Sequence, residues 1–135
     1  MKNVLADHVR SLGHELTDLG ACTYDASDDY PDFSEKTGIA IQTGTADRAV
    51  LICGSGVGAS IAANKMKGVR AGLCHDTYSA HQGVEHDNMN VLVLGSRIIG
   101  IELARDLVKT FLAARFSDEE RHKRRLAKVA RIETC

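Results

Sequence analysis

Three short apolar runs, RAVLICG at 48–54, GVRAGLCH at 68–75 and NVLVLG at 90–95, constrain this chain more than anything else in it. Each is a nearly continuous string of hydrophobic, partly β-branched residues bounded by turn residues, the pattern of a strand buried on both faces. Between them lie GASIAANKM and TYSAHQGVEHD, the first a good helix and the second a weaker one. Strand and helix in alternation predict an α/β fold with a mainly parallel sheet flanked by helices.

The flanks are less regular. After the last strand, IELARDLVKTFLAARF carries Leu103, Leu107, Phe111 and Leu112 at steps of three and four, so one helical face should pack on the sheet or on a second subunit. SDEE at 117–120 has the form of a capping box, with Ser117 at the N-cap and Glu120 at N3. It opens a last helix, about 118–133, with Leu126, Val129 and Ala130 on one side and mostly cations elsewhere. Toward the front, ADHVRSLG predicts a helix stopped at Gly13, and HELTDLG is a short strand candidate. DASDDYPDF is a polar loop holding the only proline, and FSEKTGIAIQTG resumes a helix before Gly44.

With 135 residues, 44% of them hydrophobic, the chain can form one domain, 1–135, with a real core and has no room for a second. Seventeen basic and eighteen acidic residues leave a formal charge of -1, so no global field draws it to nucleic acid or to an anionic membrane. It lacks an apolar stretch of about 18 residues and the apolar run of a secretory signal, which predicts a cytoplasmic protein. Cys22, Cys53, Cys74 and Cys135 show no C-x-x-C spacing, so free thiols are expected rather than disulfides or a zinc site.

The chemistry concentrates in LICGSGVGASIAANK, 51–65, where Cys53 precedes glycines at 54, 56 and 58. A strand, a glycine turn and a helix start aim several N–H groups at one point, which favours an anion. Three occupants compete. Residues 54–59 match G-x-G-x-x-A, and Asp76 lies 22 positions beyond Gly54, as a dinucleotide site asks, yet only about 80 residues follow the loop and no substrate domain fits. A phosphatase loop would need an arginine six positions after the cysteine, where Ala59 stands. In the third reading Cys53 is itself the reactive group, a thiol beside a helix start acting as base or nucleophile while nearby N–H groups hold an oxyanion. The bland alternative is that Cys53 is a small buried hydrophobe, a description that suits mid-strand Cys74 better.

The segments DRAVLICGSGVGASIAANKMKGVRAGLCHD, YSAHQGVEHDNMNVLVLGSRIIG and RHKRRLAKVARIE closely resemble ribose-5-phosphate isomerase type B, in the sugar-phosphate isomerase family that includes the galactose-6-phosphate isomerase subunits. The resemblance runs from about Gly13 to Glu133. It implies a three-layer Rossmann-like domain, a homodimer or homotetramer with active sites between subunits, and aldose–ketose isomerisation of a sugar phosphate through an enediolate, without metal or cofactor. On the family's pattern Cys53 is the base moving a proton between C1 and C2. Ser55 and the amides of Gly54, Gly56, Val57 and Gly58 form the enediolate cradle. His86 opens the furanose ring, a task suited to an imidazole. Arg97, Arg121 and Arg125 hold the phosphate, the last two one helical turn apart. Tyr30 brings a phenol near the substrate, and the C-terminal helix contributes to the phosphate site and the subunit interface. Cysteine at 53, which galactose-6-phosphate isomerase subunits can lack, favours ribose 5-phosphate, with another aldose phosphate such as allose 6-phosphate or galactose 6-phosphate as the alternative substrate. Without the resemblance, RHKRR is first a solvated helix face and His86 a surface histidine.

Two departures stand out. The family pattern Glu-His-Asn-Asp is here Glu85, His86, Asp87, Asn88, so a carboxylate replaces an amide expected to donate to the sugar. Family members also begin with a strand ending in an Asp-His-Ala-Gly-like motif, and that strand has no counterpart here; Asp7 and His8 sit too close to Gly13 to supply it. A sheet without that central strand would have unpaired backbone groups beside it, which leaves open a catalytically impaired or silent sugar-phosphate-binding protein.

Overall fold

The computed structural model describes residues 1–134; Cys135 lies outside the described residues. The elements in chain order are α1 (Lys2–Ser11), α2 (Tyr30–Gln42), β1 (Ala49–Cys53), α3 (Val57–Ala63), β2 (Ala71–Leu73), α4 (Thr77–Asp87), β3 (Val91–Gly95), α5 (Ile101–Ala113) and α6 (Glu120–Ile132). The strands form one parallel sheet in the order β1-β3-β2. The all-apolar run Val91–Leu94 occupies the centre and is fully buried, because it alone has a strand on each side and helices over both faces.

Side-chain alternation splits the core in two. Val50, Ile52, Leu92 and Leu94 face Leu107, Val108 and Phe111 of α5, Val84 of α4 and Val9 of α1. Leu51, Val91 and Val93 face Ala59 and Ala63 of α3 and Phe33 and Ile41 of α2. The result is the three-layer, Rossmann-like arrangement that the alternation and the resemblance predict. Each fully buried leucine or valine of β3 contributes roughly 1.5–3 kcal/mol through burial.

The two sheet edges differ. On β2, the side-chain amide of Asn64 stands in for a strand, accepting from Ala71 N–H at 2.9 Å and donating to the Ala71 carbonyl at 2.8 Å. On β1, Ala49 N–H donates to Asn90 at 2.9 Å and the Cys53 carbonyl accepts from Ser96 at 2.8 Å, so residues 49, 51 and 53 turn their polar groups toward β3. Val50 and Ile52 turn theirs outward, and no strand among the described residues pairs with that edge.

Four local expectations are corrected. HELTDLG is not a strand: 14–20 runs as irregular chain, since a strand requires a partner and none pairs with it. The polar loop ends before Tyr30, because Pro31 sits in the first turn of α2, where its missing N–H costs nothing. On α5, Leu103 is 37% exposed and Ala104 and Val108 complete the buried face instead. The capping box does not form: Asp118 has φ +58 and α6 begins at Glu120 behind Glu119. The Ser117 hydroxyl turns to His122. Among the described residues, no helix is long and apolar enough to cross a membrane.

Candidate active site

Cys53 is the last residue of β1, half-buried, and the loop that follows folds over the carboxyl edge of the sheet. Ser96 N–H on the Cys53 carbonyl and Arg97 N–H on the Gly54 carbonyl, at 3.0 Å, tie that loop to the end of β3. Glycine is required at 56, which has φ +84 and where a Cβ would stand 2.6 Å from Leu73 Cδ1 and 3.2 Å from the Leu94 carbonyl carbon. Val57 N–H donates to Ser55 Oγ at 3.3 Å. The N–H groups of Gly54, Ser55, Gly56 and Gly58 have no acceptor among the described residues. A half-buried thiol thus directly precedes a loop with several free donors.

Tyr30 and Arg97 join this cluster. A Cβ at Gly58 would come within 2.7 Å of Tyr30 Cζ, so the absent side chain lets the phenol ring lie on the first turn of α3. A Cβ at Gly54 would stand 3.6 Å from Arg97 Nε, which places the guanidinium over the loop. One residue here had no sequence signal: His75, at the end of β2, accepts from Gly95 N–H at 3.0 Å through Nε2, which puts its proton on Nδ1. Asp76, the acid of the dinucleotide pattern, instead caps α4 by accepting from Ser79 N–H at 2.7 Å. That bond holds its carboxyl below the usual range, and the carboxylate serves the helix. Cys74 is the inert thiol: burial, then the Asp76 charge, pushes it up to about 11.

The second cluster lies at the other edge of the sheet. α4 runs antiparallel to the strands, so its end, carrying Glu85, His86 and Asp87, emerges where β3 begins. His86 Nδ1 is 3.0 Å from Gln82 Nε2, and its ring stacks on His122 with centroids 4.1 Å apart and planes at 26°. His122 is 1% exposed; Ser117 Oγ lies 2.5 Å from its Nδ1, and Nε2 has no partner among the described residues. Burial, then the His86 and Arg121 charges, lowers its pKa below the ordinary value. Arg121, bonded to Glu119 Oε2 at 2.8 Å, and Arg125 are exposed beside it on α6. Asp87 is exposed and Asn88 forms the left-handed cap of α4 with φ 49, a conformation that suits asparagine.

The site residues therefore fall into two groups. Cys53, Gly54, Ser55, Gly56, Val57, Gly58, Tyr30 and Arg97 share the carboxyl edge; His86, Asp87, Arg121 and Arg125 share the amino edge. Four residue steps separate Cys53↔Gly95 from Ala49↔Val91, about 13 Å of strand. One chain does not bring the two groups together.

The parallel α/β/α layers with a cysteine-glycine turn at a strand end define a class that the chain's likeness to known proteins makes specific. A family model described as Ribose/Galactose Isomerase matches residues 1–129. The structure of ribose-5-phosphate isomerase B from Clostridium thermocellum is similar with a TM-score of 0.94 and 43% identity, over 98% of this chain and 88% of that one. That of the Mycoplasma genitalium enzyme with bound ribulose-5-phosphate is similar at 0.90 and 39%, over 98% and 88%. D-erythrulose-4-phosphate isomerase of Pectobacterium atrosepticum is 40% identical over 119 residues, 86% of this chain and 76% of that one. The chain belongs to the ribose/galactose isomerase family.

Proposed function

We propose that this chain interconverts ribose 5-phosphate and ribulose 5-phosphate through an enediolate, in a site shared by two copies. The observation that carries the reading is the half-buried Cys53 thiol at the strand end, directly before the free N–H groups of Gly54, Ser55, Gly56 and Gly58. His86 of a second copy takes the anomeric hydroxyl proton and returns one to the ring oxygen, opening the furanose. The Cys53 thiolate then removes the C2 proton, the C–H electrons form the C1=C2 bond, and the carbonyl pair moves to O1. The cradle amides hold that oxyanion, with Ser55 beside them. Return of a proton from the Cys53 thiol to C1, with transfer of the O2 proton to O1 as the C2 carbonyl forms, gives the ketose.

What supports a shared site is that one chain holds the two groups of residues at opposite edges of its sheet. Bringing His86, Arg121 and Arg125 to Cys53 and Arg97 requires the amino edge of one copy to meet the carboxyl edge of another. Both edges carry exposed apolar side chains suited to such a contact, Val57, Ile61 and Ile98 at one and Val129 and Ile132 at the other. In this reading residues 1–135 act as one domain, and α6 supplies both interface and phosphate contacts. Tyr30 stands beside the sugar.

A second reading, an isomerase of another aldose phosphate, is favoured by exposed Asp87 next to His86, since a carboxylate accepts from a sugar hydroxyl and cannot donate. Conversion of ribose 5-phosphate, galactose 6-phosphate and allose 6-phosphate by the purified chain tests both. Turnover of the first with the greatest kcat/KM supports the proposal; no turnover of any sugar phosphate contradicts it and supports a silent binding protein.

A further inference from the structure

We propose that His122 is a positioning residue for His86: its buried ring, held by Ser117, clamps the His86 imidazole so that Nε2 faces the substrate. The inference rests on the isomerase reading for the role of His86 and on the geometry for the clamp. α6 packs lightly, and His122 is its only buried side chain among the described residues. Burial of a ring with an orphaned nitrogen is a poor choice for stability alone, because an apolar side chain of similar size would fill the space with no polar atom to desolvate.

What the imidazole does is hold two things. Its Nδ1 is fixed by Ser117 Oγ, and Ser117 N–H donates to the Glu85 carbonyl at 2.9 Å, so the ring is referenced to the end of α4. Its face lies on His86 at 4.1 Å. Gln82, one turn earlier on α4, engages His86 Nδ1 at 3.0 Å, and the stack removes rotation about the remaining axis. Nε2 is then the atom left to exchange a proton, with Glu85 Oε2 3.9 Å away.

The charges around the pair favour a neutral clamp. Toward His122 face His86 from α4, Arg121 and Arg125 from α6, and Glu119 just ahead of it; of these only Glu119 favours protonation.

Two substitutions separate the clamp from a merely structural role. His122→Phe keeps a ring against His86 and loses the bond to Ser117; His122→Asn keeps a hydrogen-bonding group and loses the ring. The prediction is that Asn lowers kcat on ribose 5-phosphate roughly tenfold, with KM within about twofold, while Phe retains kcat within about threefold. Ribulose 5-phosphate cannot close a furanose, because its terminal oxygen carries the phosphate, so solvent deuterium wash-in at its C1 needs no ring opening. Wash-in should proceed at the unsubstituted rate in both variants. Equal loss of wash-in and isomerisation, or a rise in KM with kcat unchanged, would overturn the proposal.

The ring protons of His86, followed by NMR, give a readout independent of turnover. They should stay displaced by a stacked ring in the Phe variant and show a second ring orientation in the Asn variant. An ordered His86 in the Asn variant contradicts the clamp even if the chain proves inactive, whereas failure of the unsubstituted chain to isomerise or exchange contradicts the proposed function instead.

Discussion

Cys53 and Gly95 are register partners at the carboxyl ends of β1 and β3, and a Cβ at Gly95 would stand 2.5 Å from the Ser55 carbonyl oxygen. The missing side chain lets the glycine loop that follows Cys53 fold down over the strand ends. Cys53→Ala should therefore lower kcat by about 10²–10⁴, the contribution of a positioned base. Melting temperature should stay nearly unchanged, since the side chain is only half-buried. Turnover by the variant within a factor of about two of the parent would remove Cys53 from the role of base.

Gly56→Ala tests the cradle. At φ +84, with the Leu94 backbone 3.2 Å from the new Cβ, the loop must shift, at a cost of about 1–3 kcal/mol. Urea denaturation should register that loss, and kcat should fall more than KM rises.

Arg48 closes the other end of the fold. Its guanidinium donates to the carbonyls of Phe111, Leu112 at 3.1 Å and Ala114 at 2.7 Å, satisfying the end of α5 that has no further helical turn. It also lies over the Phe111 ring, 5.3 Å from the centroid. Arg48→Met should cost about 2–3 kcal/mol in chemical denaturation, read as a lower urea midpoint.

Acid should loosen the α4–α6 junction before it reaches the carboxylates. His122 has a lowered pKa in the fold, so at mildly acidic pH the unfolded chain binds more protons than the native one. Its neutral form supports stability above the ordinary imidazole value of about 6.5, and that support is lost as pH falls through this value toward the lower folded one. Asp18 and Asp76, also lowered, lose their contributions only below about 4. Melting temperature should drop between pH 7 and 5, and the slope should flatten in His122→Phe.

The strands and the helices between them were legible because a buried parallel strand has no polar face, so its run of hydrophobics is unmistakable in residues 49–53 and 91–95. The weak candidate at 14–20 failed for a reason no local pattern holds: strand formation depends on a partner edge. The start of α2 was readable from Pro31, whereas the positive φ of Asp118, which undoes the capping box, is a tertiary outcome. The glycine turn that follows Cys53 was visible from spacing. His122 was hidden in a cationic run, since its burial depends on docking of α6 against α4, and His75 had no pattern to betray it. The division of the site between two sheet edges follows from helix direction, which becomes plain only when the strands are placed.

The most direct test of the shared site is complementation between two inactive variants, Cys53→Ala and His86→Asn. Alone, each should have little activity. After unfolding, mixing in equal amounts and refolding, half of the assemblies pair one chain of each kind, and half of their sites carry both intact residues, which predicts recovery of about one quarter of the parent activity. A mixture no more active than its components would contradict an active site built from the Cys53 edge of one copy and the His86 edge of another.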